Sequence, residues 1–401
     1  MAYQHLLKLT AMCTLVLCSD ILHAQVFDTD SAVAHALEHN PNLNAVHQQV
    51  NASGARTQAS RAGHKPVLSI SHTARVSDNP LDAFADKLNT RQVTTPDFDP
   101  ARLNEPGSSD LYFTQLALRW PVYTGGRVSA LVEDAEHTET NSRLQYQYQR
   151  EHIAAATLQA YRVALAAEQA VAIAEDAVRS AVQHANTTAE LAAEGRIVES
   201  DKLAAEVNLA ALRSQREQAA TRYQSALDEL KLVIGLPLDT AIELAAAKLP
   251  VIAEDEALAA HEKRALDARK DLAAARAMVQ AAKARVDAAR SVNRPTVDIV
   301  ASSNWYDDSP GFDSQSSSIM GVISFDLYNG RTDGEIDVAL AQQREMQWQL
   351  QALEQAAQKQ VRDAWNSMQE SKQRLALAED NVFTAKRTVK LVKQRYGQGR
   401  T

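Results

Sequence analysis

The sequence predicts a mainly α-helical chain with a small β part, in which long, coiled-coil-like helices are combined with four β-strands. Composition is the first basis for this prediction: the 401 residues include 13 Gly and 11 Pro, and aromatic residues make up 5% of the chain, which is typical of long helices. The second basis is a repeated pattern of helix, strand, strand and helix. The net charge of −8 is spread without a basic stripe, which argues against a nucleic-acid partner.

An internal repeat sets the order of the elements. Residues 116–127 read Leu-Ala-Leu-Arg-Trp-Pro-Val-Tyr-Thr-Gly-Gly-Arg, and residues 322–331 read Val-Ile-Ser-Phe-Asp-Leu-Tyr-Asn-Gly-Arg. Each is an apolar, strand-like run that ends in Tyr and Gly and opens a long helix. Gly195 and Gly399 mark a second matching break, and Arg follows each of them. We therefore divide the chain into a signal peptide, a first repeat and a second repeat: 1–24, 25–250 and 251–401.

The first 24 residues have the pattern of a secretory signal. Lys8 supplies a weak positive region, 9–17 form a short apolar core, and Leu22-His-Ala24 is a plausible cleavage site. Cys13 and Cys18, the two cysteines of the chain, both fall in the segment that would be removed. A lipoprotein signal at Cys18 is the alternative, although such a site prefers a small residue directly before the Cys.

The first helix is expected from Thr29 or Asp30 to about Arg61. Asp30 or Ser31 is available as N-cap, and Pro41 introduces a kink or restart because it lacks a backbone donor. The other helices are long and rich in Ala, and small side chains let helices pack closely along their length. Such helices make a tube, a stalk or a rod rather than a compact core. Their expected ranges are 127–194, 201–234, 256–291 and 334–398.

Four strands are expected at 67–76, 111–120, 296–305 and 318–327, the first pair joined by a long polar loop. Each alternates, with one mainly apolar face. A soluble sheet with one buried face would show the same alternation, but the signal peptide and the lack of other sheet-forming sequence favour membrane-spanning strands. The smallest membrane barrels have about eight strands, and open sheet edges do not occur in lipid. Transmembrane strands would therefore require an oligomer that shares one barrel.

No catalytic constellation stands out in the sequence. His35 and His39 lie one helical turn apart, and His47 lies two turns further on, a spacing that can bind metal. No acidic or Cys cluster supports such a site, so a solvated helix face is the preferred interpretation. The glycines at 125, 126 and 330 lack the Lys-Ser/Thr of a phosphate loop, and we interpret them as strand-to-helix turns with positive φ. We expect neither enzymatic activity nor a cofactor or resident metal.

The order and duplication of these motifs resemble the TolC-like outer-membrane efflux channel family, the outer membrane factors. The resemblance covers essentially the whole mature chain and is strongest in 40–43, 120–127, 195–203 with 232–235, and 325–331. It implies a homotrimer in the outer membrane of a Gram-negative bacterium, in which each protomer gives four strands to a shared β-barrel and its helices to a periplasmic tunnel. It also implies contact with outer-membrane lipid, and as partners a periplasmic adaptor and an inner-membrane pump of the RND or ABC type. Such a protein is a gated passive conduit for efflux or type I secretion.

The resemblance also assigns residues to sites. The periplasmic gate or tip would contain Glu194, Gly195, Arg196, Tyr396, Gly399 and Arg400. The strand-to-helix turns would contain Tyr123, Gly125, Gly126, Tyr328 and Gly330. The lumen-facing strand residues would be Arg119, Asp298, Asn304 and Asp326.

Two further expectations follow from the resemblance. The family continues beyond the position of Thr401 with a last helix and a ring of acidic residues, so the second repeat is expected to be truncated. The alternative function is a periplasmic membrane-fusion adaptor with a coiled-coil hairpin. An adaptor would show one central helical hairpin flanked by Gly-rich β domains, whereas this chain has two repeated units.

Overall fold

A computed structural model describes residues 25–246 and 257–397. The predicted signal peptide and the predicted tip residues Gly399 and Arg400 lie outside the described residues, as does the side chain of Tyr396. The helices are α1 Thr29–His39, α2 Pro41–Arg61, α3 Pro80–Asn89, α4 Pro100–Asn104, α5 Arg127–Ala193, α6 Glu199–Ile234, α7 Leu258–Ala268, α8 Lys270–Arg290 and α9 Thr332–Gly397. The strands are β1 Gln25–Phe27, β2 Val67–Ser77, β3 Ser109–Tyr123, β4 Ile242–Leu244, β5 Thr296–Asp307 and β6 Ser314–Ser324.

The predicted architecture of long helices with four long strands is confirmed. The described chain divides into two compact units, one of residues 25–45 and 149–246 and the other of residues 46–148 and 257–397. Among the described residues, no helix is both long enough and apolar enough to cross a membrane.

The first unit has its own hydrophobic core, which buries Leu230 and Ile234 of α6 against α1 and α5. A short parallel pair, β1 with β4, lies beside it and was not expected from the sequence. The fully buried Tyr161 of α5 fixes this pair, because its hydroxyl donates toward two carbonyl oxygens, that of Phe27 at 2.8 Å and that of Ala245 at 2.6 Å. Burial raises the pKa of Tyr161, so the hydroxyl keeps its proton.

Helix α1 begins at Thr29, as the sequence suggested, but its N-cap is a different residue. Its N-cap is Asp28, not Asp30 or Ser31, because the Asp28 carboxylate accepts from the Ser31 backbone N at 2.7 Å and the Ser31 hydroxyl accepts from the Asp28 backbone N at 2.9 Å. This reciprocal pair is a capping box. The restart at Pro41 is confirmed, since α1 ends at His39 and α2 begins at Pro41.

The C-terminal end of α6 packs against the break between α1 and α2. The Asn40 side chain accepts from the backbone N of Asn42 at 2.9 Å, which caps α2, and donates to the Val233 carbonyl at 2.7 Å. Gly235 ends α6 with a φ of +82°, and a Cβ there would lie 2.7 Å from the His39 carbonyl oxygen. Only glycine fits this left-handed cap so close to another backbone.

In the second unit, helices α8 and α9 pack together through small residues. The helix expected over 256–291 is two helices, α7 and α8, broken at Arg269. No Pro or Gly marks this break; the Arg269 guanidinium instead forms a two-point ion pair with Asp271 at 3.0 and 2.6 Å. The residues of α8 buried on its small-residue face include Ala274, Ala277, Ala281, Ala284 and Ala288.

The four long strands form one antiparallel sheet in the order β2-β3-β5-β6. Strand β6 ends at Ser324, which pairs with Thr296, the first residue of β5. The expected strand to Leu327 is therefore too long. Pro295 directly precedes β5 and has no backbone N–H. Residues of β6 beyond Ser324 would therefore face a residue that cannot donate a ladder hydrogen bond. Asp326, predicted as a strand residue, lies after the strand.

Candidate functional site

The register of the sheet separates two faces of opposite character. Opposed residues in neighbouring strands lie on the same side, and successive residues alternate. We call the first side the apolar face; it carries Leu68, Ile70, Leu116, Leu118, Ile299, Ile319 and Ile323. We call the second the polar face; it carries Ser69, Ser71, Gln115, Arg119, Asp298, Asn304 and Ser318.

Among residues 25–246 and 257–397, nothing covers the apolar face. Leu68, Ile70, Ile319 and Ile323 are each exposed over about two thirds to three quarters of their surface. A contiguous apolar surface of this kind marks contact with a protein partner or with lipid.

The polar face is cross-linked between strands. The Arg119 Nε donates to Asp298 Oδ1 at 3.2 Å, and the Gln115 side chain donates to Asn304 Oδ1 at 2.9 Å. Three of the four predicted lumen residues, Arg119, Asp298 and Asn304, thus share this face, and Asp326 does not join them. Such a face can contact water while the opposite face contacts lipid.

Both outer strands of the sheet are open. Within the described residues, β2 pairs with β3 alone and β6 pairs with β5 alone. Each outer strand therefore presents a row of backbone N–H and C=O groups with no partner in the sheet. Such groups are costly in lipid, where no water can satisfy them.

The loop expected between the first two strands is an ordered insert, which we call the β2–β3 insert (78–108). It contains α3, a short 3₁₀ turn at Thr95–Phe98 and α4. Asn79 caps α3 by accepting from the Leu81 backbone N at 2.9 Å, and Asp99 caps α4 by accepting from the Ala101 backbone N at 2.9 Å. The cap-proline pairs Asn79-Pro80 and Asp99-Pro100 were the sequence signals that could have revealed these helices.

Buried carboxylates hold the insert together. Asp86 is 3% exposed and pairs with Arg75 of β2, while the Ser109 hydroxyl donates to its other oxygen at 3.1 Å. Asp97, 6% exposed, pairs with Lys87. The hydrogen bond from the Lys87 ammonium holds the pKa of Asp97 well below its usual range. Asp97 therefore stays charged and paired with Lys87 at neutral pH.

The turn from the sheet into α5 joins the two repeats. Gly125 and Gly126 have φ of +66° and +90°, as predicted for these positions. The Arg294 guanidinium donates to the Gly125 carbonyl at 3.2 Å, and the indole N–H of Trp120 donates to the His64 carbonyl at 3.2 Å. Tyr123, also predicted for this turn, is the last residue of β3.

The equivalent turn of the second repeat differs. Gly330 is not among the glycines with positive φ, so that part of the prediction is wrong. Seven residues link β6 to α9, compared with three between β3 and α5, and the longer link needs no left-handed residue. Asn329 turns the chain there by accepting from the Arg331 backbone N at 3.2 Å. Tyr328 is almost fully exposed.

The predicted tip residues of the first repeat form the turn between α5 and α6. Gly195 has a φ of +69°, and the Arg196 backbone N donates to the Leu191 carbonyl at 2.9 Å, which closes the end of α5. The Arg196 guanidinium lies 3.3 Å from the Glu194 carboxylate, with both side chains exposed. Tyr396 lies in α9.

The histidines singled out by spacing have other contacts. His35 and His39 stack with ring centroids 4.2 Å apart, and the His35 Nδ1 lies 2.9 Å from the Ile234 carbonyl oxygen. His47 packs on Tyr146. Over residues 25–246 and 257–397, no group of three or more His, Cys, Asp or Glu side chains could hold a metal ion.

Comparisons with known proteins extend over nearly the whole chain. The family model for outer membrane efflux proteins matches residues 32–236 and 263–401. Protein CyaE of Bordetella pertussis is 28% identical over 269 residues, which are 67% of this chain and 52% of CyaE. The chain thus spans about half the length of this curated relative.

Solved structures show the same fold. A membrane protein from Pseudomonas aeruginosa gives a TM-score of 0.75 at 21% identity, over 92% of this chain and 83% of that one. The outer membrane protein VceC from Vibrio cholerae gives a TM-score of 0.71 at 20% identity, over 93% of this chain and 87% of VceC. The chain therefore shares its fold with these proteins over most of its length. Since the family model covers well over half of the sequence, the chain belongs to the outer membrane efflux protein family.

Proposed function

We propose that this chain is the outer-membrane channel subunit of a tripartite efflux or type I secretion system, a gated passive conduit from the periplasm to the exterior. The family is one of outer-membrane transport channels rather than enzymes or membrane-fusion adaptors, which sets aside the adaptor alternative. The observation that carries the proposal is the sheet: one face apolar and uncovered, one face polar, and both edges open.

Assembly follows from the open edges. In lipid, the unpaired groups of β2 and β6 must find partners. We infer a homotrimer in which β6 of one protomer pairs with β2 of the next, so that three four-stranded sheets close one barrel. The apolar face then contacts outer-membrane lipid, and the polar face, with Arg119, Asp298 and Asn304, lines the lumen.

Gating belongs to the opposite end of the long helices. We propose that the turn of Glu194, Gly195 and Arg196 belongs to the periplasmic entrance in the first repeat, and that the region of Tyr396 has the same role in the second repeat. Opening would be a shift between alternative helix packings, biased by contacts with a periplasmic adaptor. The energy would come from an inner-membrane pump of the RND or ABC type, the partner that the resemblance to outer membrane factors implies, so that the channel itself conducts passively.

A pair of neighbouring substitutions tests the assignment of the faces. Ile319 on the apolar face is 77% exposed, and Met320 on the polar face is 53% exposed. A charge on a lipid-contacting strand position costs roughly 2–4 kcal/mol near the bilayer centre, whereas lumen positions tolerate charge. We expect Ile319→Lys to reduce the amount of trimer in outer membranes and Met320→Lys to leave it unchanged.

The assay is expression in a Gram-negative host, isolation of outer membranes, and native mass of the detergent-extracted protein. Single-channel recording in planar bilayers then shows whether the trimer conducts. Equal yields for the two variants would contradict the assignment of the apolar face to lipid. A wild-type protein that is monomeric, or trimeric without conductance, would contradict the proposed function itself.

A further inference from the structure

The β2–β3 insert lies on one side of the sheet. The sheet side chains that bond to it are Arg75 and Ser77 of β2, Ser109 of β3 and Ser314 of β6. The register places all four on the polar face. Under the function proposed above, that face is the lumen, so the insert folds inward over the pore and not outward over lipid.

The insert also reaches across the full width of the sheet. It leaves from β2 and contacts the turn between β5 and β6 and the start of β6, at the opposite edge. The Ser314 hydroxyl donates to the Thr90 carbonyl at 2.9 Å, and the Arg91 guanidinium donates to the Gln315 carbonyl at 2.8 Å. The Gln92 side chain donates to Asp308 at 3.0 Å. These three contacts tie the end of α3 to the second hairpin.

The attachment is rigid enough to fix the position of the insert. Arg91 has a φ of +60°, a conformation that costs roughly 1–3 kcal/mol for a non-glycine residue and persists only where its surroundings impose it. Inside the insert, Phe84 and Phe98 pack edge to face with ring centroids 5.7 Å apart. The buried pairs of Asp86 and Asp97 add further restraints.

The size of the insert matters in the proposed trimer. A barrel closed from three such four-stranded sheets, with strands ~4.8 Å apart and tilted by ~40°, is roughly 24 Å across between opposite backbones. A helix with its side chains is ~10–12 Å wide. Three helices folded inward at the rim would therefore occupy most of the cross-section.

The charge of the insert is predominantly acidic. Residues 78–108 include six acidic and three basic side chains; Asp97 pairs with Lys87, and Asp82 and Asp86 share the single Arg75 of β2. The remaining exposed charges are three acidic side chains, Asp78, Asp99 and Glu105, and two basic ones, Arg91 and Arg102. Like charges confined in a narrow passage raise the local concentration of counter-ions, so a constriction of this composition favours cations.

We propose that the β2–β3 insert is a fixed constriction at the extracellular end of the pore and that its exposed carboxylates make the open channel selective for cations. The inference rests on the proposed function, because it needs the polar face to line a lumen. It assigns the limiting width for small ions to the outer rim, with the α5–α6 turn as a separate gate.

Single-channel recording on the full-length trimer tests both parts. The first variant replaces residues 79–107 with a short Gly-Ser linker, and we expect its open-state conductance to rise at least about 2-fold, because ion flow scales with the open cross-section. The second carries Asp78→Asn, Asp99→Asn and Glu105→Gln, which keep size and the α4 cap. For it we expect the cation-to-anion permeability ratio, taken from the reversal potential in a salt gradient, to fall at least about 2-fold.

Arg102→Gln is the matched control, since it removes an exposed positive charge from the same insert and should raise the permeability ratio. The inference would be overturned if the linker variant had the wild-type conductance and the neutralised variant had the wild-type permeability ratio. That result would leave the proposed function standing. If the linker variant does not assemble, the permeability ratios of the neutralised variant and of Arg102→Gln decide. A wild-type trimer without any conductance would overturn the proposed function and the inference together.

Discussion

Gly125→Ala should loosen the turn that precedes α5, where Gly125 of the first repeat contacts Arg294 of the second. Gly125 has a φ of +66°, and an added Cβ would lie 2.9 Å from both the Cβ of Arg294 and the backbone oxygen of Ser291. Neither atom is the free end of a flexible side chain. Gly107, in the β2–β3 insert, offers a matched control, because its φ is +71° and nothing lies within 4 Å of the position of its Cβ.

The two substitutions differ by the steric clash alone. A left-handed conformation costs an alanine roughly 1–2 kcal/mol at either site. Overpacking against fixed backbone adds typically ~1–3 kcal/mol, and only Gly125→Ala incurs it. We therefore expect a loss of about 2–5 kcal/mol for Gly125→Ala and about 1–2 kcal/mol for Gly107→Ala.

Native-state hydrogen exchange of the extracted protein measures this difference locally. The Arg294 amide donates to the Ser291 carbonyl at 3.0 Å, the same oxygen that the new Cβ would meet. With a factor of ten per ~1.4 kcal/mol, Gly125→Ala should speed exchange of this amide by ~30-fold or more. Gly107→Ala should leave it at the wild-type rate. Wild-type exchange at Arg294 in Gly125→Ala would refute the reasoning, since it would mean that the turn accepts a side chain without moving.

Three further predictions concern the core and the insert. Leu230→Ala, at a fully buried position, should cost ~2–5 kcal/mol, whereas Leu232→Ala, at a position 63% exposed, should cost less than about 0.5 kcal/mol; thermal unfolding followed by circular dichroism compares them, and equal midpoints would contradict the proposed core. Tyr161→Phe removes the hydroxyl that holds the β1–β4 pair and should cost about 1–3 kcal/mol, seen as faster exchange of the amides of that pair; unchanged exchange would show that the carbonyls find other donors. The pKa of Asp97 is lowered by Lys87, so the native state holds the carboxylate ionised, and its contribution to stability is present above the unfolded-state pKa of about 4 and is lost as the pH falls below it. Limited proteolysis of the insert should be constant between pH 7 and about pH 5 and increase below about pH 4, and a rate that changes only above pH 5 would contradict this assignment.

The sequence predicted the long elements well because their patterns are long. Ten alternating residues, 67–76, placed the 11-residue β2 within one residue, and the near absence of Gly and Pro predicted the 67 residues of α5. The polar face could be assigned from period alone, and Arg119, Asp298 and Asn304 fall on it. Such patterns are read locally and need no knowledge of the neighbours.

The features that were missed depend on contacts distant in sequence. Strands β1 and β4 have three residues each, too few for any alternation to show. Helices α3 and α4 are ten and five residues long, and side chains outside them, such as Arg75, stabilise the insert. The break at Arg269 contains neither Pro nor Gly, the residues that usually mark the end of a helix in a sequence. An ion pair between Arg269 and Asp271 lies there instead. Each of these needs tertiary structure to become visible.

The two open edges have a consequence for assembly. One chain has two unpaired edges, and a side-by-side pair of chains would still have two, because joining one edge to another leaves the outer ones free. Growth by head-to-tail addition can continue without limit as a filament unless the rotation per subunit brings the ends together. Ring closure is therefore the single step that removes both edges at once, so partly built rings gain little and should be short-lived. The twist and tilt of the sheet, which set that rotation, decide between a closed pore and an aggregate.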